Sequence, residues 1–140
     1  GVEEVTGGQV HYLDLAEPFD DIGPAEWVMS LEVGEHLPKE FQDQFMRNLV
    51  LHSTSGIILS WAKPGQGGRG HFNEISRCQV VEFLAAAQRA VDPSHHVVLD
   101  KEATAWLSEH AKFWYLRANL HVFRKLAGPE TEATRPLPCP

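Results

Sequence analysis

A chain of 140 residues with 43% hydrophobic content can close one hydrophobic core and is short for two. Its formal charge of −7, with no cluster of lysine and arginine, excludes a surface built to grip phosphates, so a small-molecule partner is expected and nucleic acid is not. Cys78 lies in a helical pattern and Cys139 beside the terminus, which indicates neither a disulfide framework nor a cysteine-based zinc site; a reducing, cytoplasmic setting is the expectation.

No apolar run approaches the roughly 20 residues that span a bilayer. The opening GVEEVTGGQ lacks the basic and apolar regions of a signal peptide, so a soluble chain without a membrane partner is expected. The first residue is not methionine, as at a processed or truncated start.

QVHYLD (9–14) alternates and contains β-formers, which predicts a first strand, and AEPFDDIGP reads as a connector. EWVMSLE (26–32) predicts a second strand. Phe41, Phe45 and Leu49 then fall at i, i+4 and i+8 on an amphipathic helix opening near Pro38. GIILSWA (56–62) is almost wholly apolar, as expected of a central parallel strand covered on both faces.

KPGQGGRGHFNE (63–74) reads as a glycine-rich loop. Ser76 and Gln79 make a capping-box pattern ahead of a helix carrying Val80, Phe83, Leu84, Ala87 and Val91. HVVLD (96–100) predicts a strand, Asp100 can cap a helix over KEATAWLSEHA, and FWYLRANLHVFRKL (113–126) predicts a closing strand. The order of elements predicts an α/β fold with a mostly parallel sheet flanked by helices in three layers; a terminal antiparallel strand would not be surprising. GPETEATRPLPCP has too little apolar content to fold alone. The expected organisation is one domain over 1–126 and a disordered tail over 127–140.

If the first three strands are parallel, three polar sites converge at their carboxyl ends: Asp14 with Leu15, then Glu32 to His36, and then Trp61 leading to Gln66, His71 and Asn73. Loops at that end of an open α/β sheet are where ligands collect. Here the sequence resembles the later part of a class I S-adenosylmethionine-dependent methyltransferase. HYLDLAEPF is similar to the family's third-strand motif, AEWVMSLEVGEHLP to the fourth, and GIILSWAKPGQGG to the fifth strand with its glycine-bearing loop. The resemblance implies a Rossmann-like domain that is incomplete at its N-terminus, because the family's opening strand, glycine-rich cofactor turn and ribose-binding acid have no counterpart before Gln9. It also implies S-adenosylmethionine as cofactor, with Asp14 and Leu15 at the adenine and Glu32 and Val33 beside the methionine half.

Methyl transfer to an oxygen or nitrogen of a small-molecule acceptor needs positioning and removal of a proton, and His36 and His71 are the candidate bases, with Glu35 a third. Glu32 is the candidate for orienting cofactor or acceptor. Each residue also has a plainer role open to it. Asp14 can belong to an Asp-rich connector, Glu32 can form a salt bridge, Glu35 can face water, His36 can pack on the following helix, and Asn73 can cap one. Glu32, Glu35 and His36 form an E-x-x-E-H run, but it lacks the paired histidines of H-E-x-x-H, and no metal site is predicted from it. A truncated sheet would leave one edge uncovered. The alternative is therefore a non-catalytic, methyltransferase-like remnant that associates with itself or another chain through that edge.

Overall fold

Apolar runs at strand spacing and apolar stripes at helical spacing produce an α/β domain, seen in a computed structural model that describes residues 1–137 and Cys139. In chain order the elements are α1 (Val2–Val5), β1 (Ala25–Leu31), α2 (Gln42–Leu51), β2 (Ser53–Ser60), α3 (Arg77–Val91), β3 (His95–Leu99), α4 (Lys101–His110), α5 (Trp114–Asn119) and β4 (Leu120–Ala127). Two 3₁₀ turns, Gly34–His36 and Lys39–Phe41, join β1 to α2.

The four strands form one open mixed sheet in the order β1-β2-β4-β3. β1 pairs parallel with β2, while β4 runs antiparallel to both β2 and β3. β2 is therefore interior as its apolar run predicts, but only one of its two neighbours is parallel. The outer edge of β1 has no strand partner among the described residues.

α2 and α3 cover one face, where Phe45, Met46, Leu49 and Val50 meet Ile57, Leu59, Val80, Leu84 and Phe123 in the main core. Each such side chain, fully buried, contributes roughly 1.5–3 kcal/mol. α4 packs on β4 across the other face, and Thr104 accepts a hydrogen bond from the Val122 amide at 2.9 Å. Caps hold where the sequence places them. Ser76 and Gln79 close a reciprocal capping box on α3, and the Asp100 carboxylate accepts from the Ala103 amide at the start of α4.

Three expectations are corrected. QVHYLD forms no strand: the Val10 amide donates to the Thr6 hydroxyl and the Tyr12 amide to Glu3, so the backbone is satisfied by local bonds rather than a ladder. FWYLRANLHVFRKL is helical as α5 before it becomes β4, because residues 114–119 have no neighbouring strand and Leu120 begins the pairing with Ser60. The helix expected near Pro38 starts as α2 only at Gln42, after the 3₁₀ turn.

The cysteines also differ from expectation. Cys78 on α3 is disulfide-bonded to Cys139, across 61 residues of chain. Where a disordered tail is expected from residue 127, the Gly128 amide donates to the Ser94 carbonyl, and Glu130 pairs with Arg89 and Arg135. The pairing removes the ground for expecting a reducing compartment, since disulfides persist mainly where conditions oxidise. No described helix is long and apolar enough to cross a membrane. Closing a loop of this length constrains the unfolded chain by up to about 4 kcal/mol. Cys78→Ser is expected to lower stability within that bound, measured by urea denaturation against the oxidised protein, with little effect once both are reduced.

His121 lies on β4 between sheet and helices, 1% exposed and stacked on Phe123. Burial, assisted by the nearby Arg77 charge, pulls its pKa down to about 4. The unfolded chain thus binds a proton more readily than the native one between pH 6.5 and 4. The associated stability is complete above pH 6.5 and lost as pH falls through that window, amounting to about 3 kcal/mol. His121→Phe is expected to flatten the acid limb of the stability–pH curve between those values; an unchanged slope would refute the assignment.

Candidate functional site

The site is built where the loops after β1 and β2 fold over each other. Leu31 ends β1, and Glu32 follows with φ of 52°, a left-handed conformation uncommon for a residue with a side chain. Ser60, at the end of β2, secures it: the Glu32 amide donates to the Ser60 hydroxyl at 2.8 Å and to the Ser60 carbonyl at 3.3 Å. The carboxylate then accepts from the Gln66 side-chain amide at 2.9 Å and from that of Asn119 at 3.2 Å, and Asn119 also donates to the Gln66 carbonyl oxygen at 2.6 Å. Two side chains far apart in sequence, Gln66 and Asn119, thus hold one carboxylate, while Ser60 holds its backbone.

Gly34 follows. A Cβ at this position would fall within the Trp61 ring, so only glycine lets the chain pass. Trp61 is itself fixed in the core, 1% exposed, with its indole N–H donating to the Asn73 carbonyl at 2.6 Å. The Glu35 carbonyl accepts from the Phe72 and Asn73 amides at 2.8 and 3.1 Å, which draws residues 63–76 down over the turn. The cap reading of Asn73 does not hold. Ser76 caps α3, and the Asn73 side chain donates to Gln42 at 3.0 Å.

Glu35, for which facing water is one of the readings open from sequence, is the most enclosed acid of the group. It is 0% exposed, and neither carboxylate oxygen has a hydrogen-bonding partner among the described residues. Burial pushes its pKa above the ordinary carboxylate value; its own backbone N–H opposes the rise, the negative charge of Glu32 adds to it, and His36 and His71 oppose it more weakly.

His36 and His71 face each other edge to face, with ring centroids 4.9 Å apart. Each has its Nδ1 engaged: that of His36 lies 3.0 Å from the Gly70 carbonyl, and that of His71 lies 3.1 Å from the Glu74 carboxylate. A carbonyl only accepts, so Nδ1 of His36 carries the proton, and the carboxylate favours the same tautomer at His71. In the neutral ring this tautomer leaves Nε2 with the lone pair. Glu74 also accepts from the Gly65 and Gly67 amides, each at 2.7 Å; these bonds, led by that from His71, hold its carboxyl below the ordinary range. A Cβ on Gly68 would run into the His71 imidazole, which accounts for one of the loop's glycines.

The four cofactor candidates divide. Leu15 and Val33 line one apolar cavity of about 330 Å³ beside β1, together with Leu13, Phe19, Phe45 and Leu49. The Leu15 carbonyl is held there by the buried Asn48 side chain at 3.2 Å. Asp14 is exposed, accepts only from the Ala16 amide at 3.0 Å, and ends no strand. Glu32 belongs to the network with Gln66 and Asn119, whereas His36 and His71 group with Glu35.

Asn119 and Glu74 are absent from the residues singled out by sequence. Asn119 sits in a segment read as strand; Glu74 closes a glycine-rich loop, and an acid three residues after a histidine was the available signal. No protein-family model matches the chain, and no curated protein matches it.

A buried acid with a raised pKa favours the protonated native state. Its stabilising contribution is complete below the unfolded value of 4.5 and is lost as pH rises through the folded value. In chelator-treated protein, Glu35→Gln is expected to match the parent's melting temperature at pH 4 and exceed it at pH 8. Equal pH dependence in both would show that the carboxyl is not held in this way.

Proposed function

We propose that this chain acts in S-adenosylmethionine-dependent methyl transfer to an oxygen or nitrogen of a small molecule, as a partial domain of the class I methyltransferase type. The observation that carries the reading is the meeting of separate loops beyond the carboxyl ends of β1 and β2, with Glu32 held in a left-handed conformation and the Leu15–Val33 cavity alongside. An apolar cavity of about 330 Å³ fits a purine ring, so the residues present suit the adenosine part of the cofactor. The strand, glycine-rich turn and ribose-binding acid that the family places ahead of these elements are not in this sequence, and cofactor binding by this reading requires them.

S-adenosylmethionine, when bound, would supply the methyl group on a positively charged sulfur. Leu15 and Val33 would enclose the adenine, and the Glu32 carboxylate would favour nearby positive charge. The Nε2 atom of His71, whose ring Glu74 orients, would take the acceptor's proton as the acceptor's bond to the methyl carbon forms and the methyl–sulfur bond breaks, leaving a neutral thioether; His36 offers a second imidazole in the same place.

One observation favours the alternative, a methyltransferase-like remnant that associates through its sheet. The outer edge of β1 has no strand partner among the described residues, and Met29 on that strand is 67% exposed. Titration calorimetry of S-adenosylmethionine against this chain and against the full gene product separates the two. The catalytic reading expects binding by the full product, weakened roughly tenfold or more, about 1.4 kcal/mol, by Glu32→Ala. Binding by neither form, or affinity and turnover untouched by Glu32→Ala and Asp14→Ala, would overturn it in favour of the remnant.

A further inference from the structure

We propose that Glu35, His36 and His71 form a binding site for a divalent first-row transition-metal ion of the kind that imidazole ligates. One ligand atom from each lies within 4.8 Å of the other two. Ligand atoms around a tetrahedral ion with bonds of about 2.1 Å stand roughly 3.4 Å apart, so modest side-chain rotation closes the set. Glu35 points to a cation independently: it is a fully buried carboxylate with no hydrogen-bond donor to either oxygen among the described residues, placed against two imidazoles. A buried charge without a partner is costly, and a cation supplies that partner.

The histidines are prepared for the same role. Nδ1 of His36 is committed to the Gly70 carbonyl and Nδ1 of His71 to the Glu74 carboxylate, the outer arrangement that leaves Nε2 as the free ring nitrogen for a metal and raises its basicity. Two imidazoles and one carboxylate suit zinc(II), cobalt(II) or iron(II) better than magnesium or calcium, which prefer all-oxygen sites. Three protein ligands leave a position for water or for a substrate oxygen or nitrogen. The site does not depend on the methyltransferase reading. If both hold, the two Nε2 atoms serve as ligands, and coordination lowers the acceptor's pKa so that its proton passes to solvent water rather than to an imidazole.

The experiment is titration of chelator-stripped protein with zinc chloride by calorimetry, accompanied by the visible spectrum of the cobalt(II) form. One zinc per chain with a Kd in the micromolar range or tighter is expected, with cobalt absorption typical of nitrogen and oxygen ligands. Glu35→Gln, His36→Gln and His71→Gln should each weaken zinc binding roughly tenfold or more, and Glu74→Gln roughly tenfold through loss of the oriented ring. His95→Gln, at a half-buried histidine away from the site whose side chain bonds Asp92 and Ser94, should change nothing. Glu35→Gln keeps the side chain's shape, and circular dichroism of each variant verifies its fold. Absence of stoichiometric zinc uptake, or uptake unaffected by all three ligand substitutions, would overturn the proposal whatever the outcome with S-adenosylmethionine.

Discussion

Gly34 passes against the face of the Trp61 indole, and the geometry of the site depends on that contact. With no Cβ to hold the chain away, the turn after β1 lies on the residue that follows β2, and Trp61 anchors the next loop through Asn73. The Glu35 carbonyl then collects two amides from the same loop. Enclosure of the Glu35 side chain follows from this closure, as does the placing of His71 against His36. Any side chain at position 34 would force the turn and the indole apart and separate groups that lie far apart in sequence.

A second constraint acts one residue earlier. Glu32 takes a conformation that costs on the order of 1 kcal/mol or more for a residue with a side chain, and the surroundings over-determine it through Ser60, Gln66 and Asn119. Strain supported from three directions is a common mark of a site where a polar group must point a particular way. The two carboxylates of the turn therefore have different characters. Glu32 is well supplied with donors, whereas Glu35 has none and is protonated more readily.

Much of the architecture was legible in the sequence. The apolar run of β2, the stripe of Phe45 and Leu49 on α2, the Ser76–Gln79 box and the Asp100 cap all appear as expected, because each depends on neighbours a few residues away. Expectations failed where a distant partner decides. QVHYLD has the alternation of a strand but no ladder to join. Residues 114–119 carry strand-forming aromatics, yet curl into α5 because pairing starts only at Leu120. The Cys78–Cys139 bond could not be inferred from two cysteines 61 residues apart, since pairing depends on where the tail returns.

The candidate site divides along the same line. Sequence alone determined that polar residues crowd the ends of apolar strands, and it marked Glu32, His36 and His71, because the change from apolar run to Gly, Glu and His is a local pattern. Only the tertiary structure decided which of these groups meet. It joined Glu32 to Asn119 across 87 residues, set Glu35 without a donor beside two imidazoles, and left Asp14 exposed. The physical reason is that burial and hydrogen bonding depend on what folds over a residue, and here the covering loop is positioned by a glycine lying against a tryptophan ring.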